Sequence, residues 1–381
     1  MADFHDVVIV GGGVIGLSAA YALGHAGLKA LVLDQREPGR EASWAGAGMI
    51  APEAETPSAS PMVRLRARSA RLYPLWADQL REETGIDIGY RKCGGVDVAF
   101  TEAEDAELRA AAGVWRSQGV AHERLAPADR ARIEPALNPE AESVYFLPDR
   151  AQVRNPRLIR ALIDAIANRG GRVQAGGAVR GFSMEKGRAV AVMSSAGRFA
   201  CGVVVVAAGA WSGPLLEPLG TRAPTPPNKG QIVLLRGDRP LLRRIVEHGG
   251  NYLVPRDDGR ILVGATEENA GFDRLPTERS YHVLIREARQ LCPVLRETEV
   301  ELVWAGLRPG SVDSRPYLGM VPGSSNVVIA TGHNRAGLQL APATAEVVVD
   351  LVLGRSPRVD VRALGPDREP VRDTDSAAFR S

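Results

Sequence analysis

The stretch VVIVGGGVIGLSAAYALGHAGLKALVLDQRE, Val7 to Glu37, decides the fold. A short apolar run ends at Gly11-Gly-Gly-Val14-Ile15-Gly16, which spaces glycines as G-x-G-x-x-G on Gly11, Gly13 and Gly16. A helix-like segment follows from about Val14 to Ala26, with Gly27 as its stop. A second strand, Lys29–Leu33, then ends at Asp34. Each part has a physical task. Gly11 permits a tight turn, Gly13 lets backbone approach a pyrophosphate, and Gly16 lets the helix close on the strand. The first turn of the helix offers free N–H groups and a partial positive charge to phosphate. Asp34, 18 residues beyond Gly16, can accept from ribose hydroxyls and would repel a 2′-phosphate. A glycine-rich turn without a ligand would not need strand, helix, second strand and acid all in register. The pattern predicts a dinucleotide site.

Composition bounds what surrounds that site. The chain has 381 residues, 45% of them apolar and 24% charged, which is ordinary globular composition and long enough for two domains. A net charge of +2 makes no electrostatic case for a nucleic-acid partner. Cys93, Cys201 and Cys292 are odd in number and far apart, so neither a disulfide framework nor a metal site is expected. No run approaches the roughly 18 apolar residues that a membrane helix needs. The N-terminus enters a strand without a signal-peptide pattern, which makes cytoplasm the default expectation.

Farther along, Gly39–Glu55 (GREASWAGAGMIAPEAE) is rich in small residues and lacks a period, as suits backbone passing close to a bulky ligand. A helix is expected over about Pro156–Asn168, closed by Gly170-Gly171. Arg198–Ala207 reads as a strand apolar on both faces, hence a buried parallel one, and runs into the turn Ala208-Gly209-Ala210-Trp211-Ser212. Asn326–Ala330 leads into TGHNRAG, Thr331–Gly337, and a helix from about Ala341 to Leu353. Between these pieces lie strand-like runs, including Asn251–Pro255 and Arg260–Ala265 about an Asp258-Gly259 hairpin turn. The helical stretch there is about Glu102–Gln118. ELVWAGLRPGS, Glu301–Ser311, places Arg308 just where the chain is expected to leave a strand, between Gly306 and Gly310. A buried guanidinium there must meet a ligand or an acidic side chain.

Taken in order, the fingerprint, the Ser43–Met49 loop, VVVVAAGAWSG, YLVPR…GRILVGAT, WAGLRP and TGHNRAGLQLAPAT resemble the glycine oxidase and D-amino acid oxidase flavoproteins. The likeness runs to about residue 355, and ASWAGAGMIAPEAE with WAGLRPGSVDSRPYLG is most similar to the thiamine-pathway glycine oxidases. It implies an α/β fold, a Rossmann-like FAD-binding domain with an inserted antiparallel-sheet substrate domain. The expected boundaries are 1–88, 150–216 and 318–355 for the first domain and 89–149 with 217–317 for the second. Residues 356–381 are expected to form a flexible tail.

By the same resemblance FAD is held without a covalent bond, in four groups of contacts. Gly11, Gly13, Val14, Ile15, Gly16, Asp34 and Gln35 supply the first, and Ser43, Ala45, Gly46, Gly48 and Met49 the second. Val179, Ala208, Gly209 and Trp211 form the third, and Gly332, His333, Asn334, Arg335, Ala336, Gly337 and Leu338 the last. Arg308 matches the arginine that clamps the substrate carboxylate, by the bidentate geometry natural to guanidinium. Tyr252 matches a tyrosine reaching the same carboxylate, although composition alone allows an amphipathic strand residue with a wet tip. Arg335 matches an arginine lining the site, a surface salt bridge being the alternative. His333 is read as local scaffold instead of a general base, and no catalytic acid or base is expected.

The implied reaction moves the substrate α-hydrogen to flavin N5 as hydride. The imine then hydrolyses to a 2-oxo acid (glyoxylate from glycine) and ammonia, and oxygen becomes hydrogen peroxide. The partners are thus a small amino acid and molecular oxygen, with no nucleic acid, no membrane and no metal. A homo-tetramer is the family's habit. The segment EHGGNY before and including Tyr252, and Glu267 after VGAT, depart from the glycine oxidase pattern. Sarcosine, D-alanine and D-proline therefore stand beside glycine, and a non-oxygen acceptor beside oxygen. An NAD-linked dehydrogenase and a flavin-binding protein without turnover are the other classes. The interrupted binding domain argues against the first, and the intact Tyr252 and Arg308 against the second.

Overall fold

The computed structural model describes residues 4–52 and 59–370, so Glu53–Glu55 of the small-residue loop lie outside the described residues. Two eight-stranded sheets organise the chain. The first runs Tyr317–Met320, Val327–Thr331, Gly197–Val206, Phe4–Val10, Ala30–Leu33, Arg172–Gln174, with the hairpin Val179–Glu185/Arg188–Ser194 continuing from Gly197–Val206. Phe4–Val10 pairs in parallel with Ala30–Leu33 and with Gly197–Val206, which pairs in parallel with Val327–Thr331. Alternation explains why these strands are apolar throughout. Val7 and Ile9 enter the helix-covered core, while Val8 and Val10 enter the core on the opposite face. Helices Val14–His25, Pro61–Thr84, Asn155–Asn168 and Gly337–Val352 all contribute to the first of those cores. The registers Val10↔Leu33 and Val10↔Val206 align the strand ends. Gly11, Asp34 and Ala207 therefore emerge together at the carboxyl edge, where open α/β sheets bind ligands.

The second sheet is mainly antiparallel and runs Glu299–Pro309, Pro227–Arg236, Arg260–Gly264, Asn251–Pro255, Ile245–His248, Gly95–Ala99, Ser143–Leu147, Glu123–Arg124. All its strands fall between residues 95 and 309 of the chain. One face packs on helix Glu278–Leu291 through Val233, Leu235, Val246, Leu253 and Val263. The other face carries a row across five strands: Glu247 opposite Tyr252, Tyr252 opposite Gly264, Gly264 opposite Ile232, and Ile232 opposite Trp304.

Several expectations need adjustment. Arg308 lies inside strand Glu299–Pro309, opposite Asn228, and not at a turn-like exit. Gly306 does not break that strand; it admits the short helix Ala42–Ala45, since a Cβ there would lie 2.4 Å from the Ala45 Cβ. The last long helix begins at Gly337, four residues before the expected Ala341, and continues through Pro342. Proline cannot donate to the Leu338 carbonyl, and the Tyr73 hydroxyl donates to it instead. Helix Pro61–Thr84, which supplies Tyr73, was not expected, although Ser60 caps it and Gly85 ends it. Residues 356–370 belong to no loose tail. Val359, Val361 and Leu364 join the helix-side core, and the Arg368 guanidinium lies 4.3 Å from the Tyr317 ring centre while pairing with buried Asp313. The rest of the expected tail, 371–381, lies outside the described residues. No helix among them is long and apolar enough to cross a membrane.

Candidate functional site

The glycine fingerprint does mechanical work. Gly11 has φ +107°, and a Cβ on it would lie 2.4 Å from the Ala207 carbonyl oxygen. One on Gly16 would lie 2.0 Å from the Gly11 oxygen. Only hydrogen fits at either place, so helix and strands meet at backbone distance. Ser43 Oγ accepts from the Val14 amide at 2.8 Å and thereby joins the small-residue loop to the helix start. Asp34 Oδ2 accepts from the Gly12 amide at 2.7 Å and Oδ1 from that of Arg36 at 2.9 Å. Burial pushes the Asp34 carboxyl up, and these amides oppose it.

A cavity of about 360 Å³ opens above these groups. Its wall takes Gly11, Gly13, Val14, Ile15, Asp34 and Gln35 from the fingerprint, and Ser43 and Gly46 from the loop. Val179, Ala208, Gly209 and Trp211 add a second side, and His333, Asn334, Arg335, Gly337 and Leu338 a third. A smaller space of about 70 Å³ adjoins it through Ala42, Gly46, Arg308, Arg335 and Leu338. Ala45, Gly48 and Met49 line that smaller space, as does Tyr252. Three expected residues line neither. Gly16 is a packing glycine, Gly332 turns at φ +70° over Tyr317, and Ala336 packs on the helix-side core.

Arg308 stands at the junction of the two spaces. Its Nη1 donates to the Thr266 carbonyl at 3.1 Å, and it hydrogen-bonds the Tyr252 hydroxyl. Among the described residues no carboxylate pairs with it. Burial pulls its pKa down and Arg335 adds to that, while Tyr252 and, at longer range, Glu267 oppose it. Tyr252 is buried, which pushes its hydroxyl pKa up. Two glycines that sequence reading passed over make room for these side chains. A Cβ on Gly230 would lie 2.2 Å from Arg308 Nη2, and one on Gly264 would lie 2.6 Å from the Tyr252 hydroxyl oxygen. The available signal was a glycine inside a strand, which often marks close approach. Arg335 Nη2 donates to the Gly250 carbonyl at 3.0 Å, and Nη1 lies 3.5 Å from Glu267. It combines both sequence readings, since the salt bridge and the cavity wall coexist.

His333 is 2% exposed, with Nε2 3.1 Å from Thr344 Oγ1 and Nδ1 unpaired among the described residues. Burial pulls its pKa to about 3, so the ring is neutral at ordinary pH. Asn334 Oδ1, on the same wall, is likewise buried without a partner among the described residues. A large, mostly apolar cavity with a backbone cradle at a helix start, an acid at the second strand end and orphaned polar atoms suits a flavin dinucleotide. No group among the described residues could hold a metal ion.

Fold and cavity together define a dinucleotide-dependent oxidoreductase. Residues 6–351 match the family DAO, FAD dependent oxidoreductase. The chain belongs to that family, and FAD is its cofactor. It is 37% identical over 364 residues to a glycine oxidase of Pseudomonas aeruginosa, covering 94% of this chain and 98% of that one. It is 34% identical to the bifunctional protein ThiO/ThiG of a Synechocystis strain, over 97% of this chain and 54% of that longer protein. The crystal structure of glycine oxidase from Geobacillus kaustophilus superposes with a TM-score of 0.92 at 33% identity, covering 97% of this chain and all of the other.

Proposed function

We propose that the protein catalyses the oxidative deamination of glycine, and of other small amino acids such as sarcosine, with oxygen as acceptor. The observation that carries this reading is Arg308, a half-buried guanidinium that pairs with no carboxylate among the described residues, beside Tyr252 where the two spaces meet. A substrate carboxylate supplies the missing counter-charge through two parallel bonds. The neighbouring space of about 70 Å³ supports a small side chain. The names of similar proteins, glycine oxidase and ThiO/ThiG, support glycine as substrate and thiazole synthesis for thiamine as the pathway.

Arg308 and Tyr252 fix the carboxylate, and Arg335, paired with Glu267, borders the same space, so Cα is held in one orientation against the cavity. Neutral His333 takes no proton from carbon. The cavity residues would hold FAD without a covalent link, and it would supply the acceptor for the Cα hydride and a route for the electrons to oxygen as hydrogen peroxide. The first sheet with its helices, residues 1–88, 150–216 and 318–355, serves as the FAD-binding domain in this reading. Residues 89–149 and 217–317 serve as the substrate domain. Arg308→Ala is expected to raise the half-saturation concentration for glycine about ten- to hundred-fold, from the roughly 1.5–3 kcal/mol of a charge-assisted bond. Neutral amines should be little affected in the same assay. Equal effects on both substrate types would remove the carboxylate role.

A further inference from the structure

The loop that lines the smaller space is held from behind at four successive carbonyls. Trp304 Nε1 donates to Ala45 O at 3.1 Å, and Asn155 Nδ2 donates to Gly46 O. Arg256 Nη2 donates to Ala47 O at 2.8 Å, and the Val153 amide to Gly48 O at 2.8 Å. None of these donors lines either cavity, whereas Ala45 through Met49 all line the smaller one. A trans peptide points its carbonyl and the following N–H in opposite directions. With the Gly46 and Ala47 carbonyls drawn into the protein, the amides of Ala47 and Gly48 face the cavity. Both residues are buried, and neither amide has an acceptor among the described residues. Buried N–H groups are rarely left unpaired, so a ligand atom must accept from them.

Arg256 is the charged member of this set and 7% exposed. It follows strand Asn251–Pro255, and its Nη1 grips Gln152 Oε1 and, at 3.1 Å, the Val153 carbonyl. All three acceptors are neutral. The adjacent acids are engaged elsewhere, Asp257 with Arg91 and Asp258 with Arg154. Burial, with Arg154 and Arg91 nearby, pulls the Arg256 pKa down. Among the described residues Arg256 has no paired counter-ion, and a buried guanidinium so placed is expensive, which points to a use for both its fork and its charge.

We propose that Arg256 is a positioning residue of the oxidoreductase site. Its fork ties Ala47 O to Gln152 and Val153, which aims the Gly48 amide at an electron-rich edge of the flavin, beside the Ala47 amide that Asn155 sets through Gly46 O. Its charge stands one peptide behind the Gly48 amide, where negative charge on the ring grows upon reduction. The inference rests on the cavity being the flavin's.

Redox titration of FAD-loaded Arg256→Lys and Arg256→Met against a dye of known potential tests it, alongside the FAD dissociation constant and urea unfolding. Both variants should keep FAD and lower the flavin potential. A tenfold loss of preference for the reduced state is about 30 mV for a two-electron couple. Lysine keeps the charge but not the fork, so its potential should fall between methionine and the parent. Potentials equal to the parent in both variants would overturn the proposal, as would FAD lost in step with folding stability, the mark of a scaffold residue. If Arg256→Met fails to fold, Arg256→Lys decides on the same readings. A parent protein that takes up no FAD would overturn the flavin reading itself, and this proposal with it.

Discussion

Arg308 and His333 line one cavity, the first half-buried and the second buried, yet loss of water acts on them in different ways. The Arg308 guanidinium loses part of its water and hydrogen-bonds a carbonyl and a phenol, with Glu267 acting on it only at longer range among the described residues, so it gains when a carboxylate arrives. His333 is held neutral, with a folded pKa of about 3 against an ordinary 6.5. Below pH 6.5 the unfolded chain binds a proton there that the native state refuses. The stability this histidine contributes is therefore complete above that pH and is lost as pH falls toward 3. The loss should be roughly 1.4 kcal/mol per pH unit. Urea unfolding between pH 6.5 and 5 should show a shallower pH slope for His333→Asn than for the parent. Parallel slopes would mean that the histidine already titrates in the native state.

At the scale of elements, the site depends on how closely strands let side chains lie across them. Gly230 faces Gly306 across the pair formed by Pro227–Arg236 and Glu299–Pro309, and the Arg308 guanidinium fills the space above Gly230. Gly230→Ala should displace Arg308 and raise the half-saturation concentration for glycine by an order of magnitude or more, with FAD still bound. Unchanged kinetics would show that Arg308 has slack that this packing denies. The glycine fingerprint and Asp34 were legible in the sequence because their spacing is set by backbone within one local unit. Gly230 and Gly264 were not, since what they accommodate comes from other strands. The same holds for helix Gly337–Val352. Its start was hidden by Pro342, and what rescues that proline is Tyr73 on a helix more than 250 residues earlier in the chain.

At the scale of the molecule, the cofactor cavity is enclosed by segments far apart in sequence, from Gly11 to Leu338. The order of motifs made this arrangement readable. The polar, proline-bearing composition after Ser356 concealed how the chain closes. Leu364 is fully buried in the helix-side core, and Leu364→Ala should cost about 2–5 kcal/mol in urea unfolding. A loss under roughly 0.5 kcal/mol, the ordinary scatter of surface changes, would return this segment to the status of a tail.

The central claim is that this fold holds FAD and reduces it with a small amino acid. The measurement closest to that claim is the visible spectrum of the dialysed protein, recorded before and after adding glycine without oxygen. A yellow protein whose flavin bands bleach with glycine and return on admitting air is the expected result. A yellow protein unmoved by glycine, sarcosine or D-alanine would contradict the substrate reading, and a colourless protein that takes up no added FAD would contradict the account from Gly11 onward.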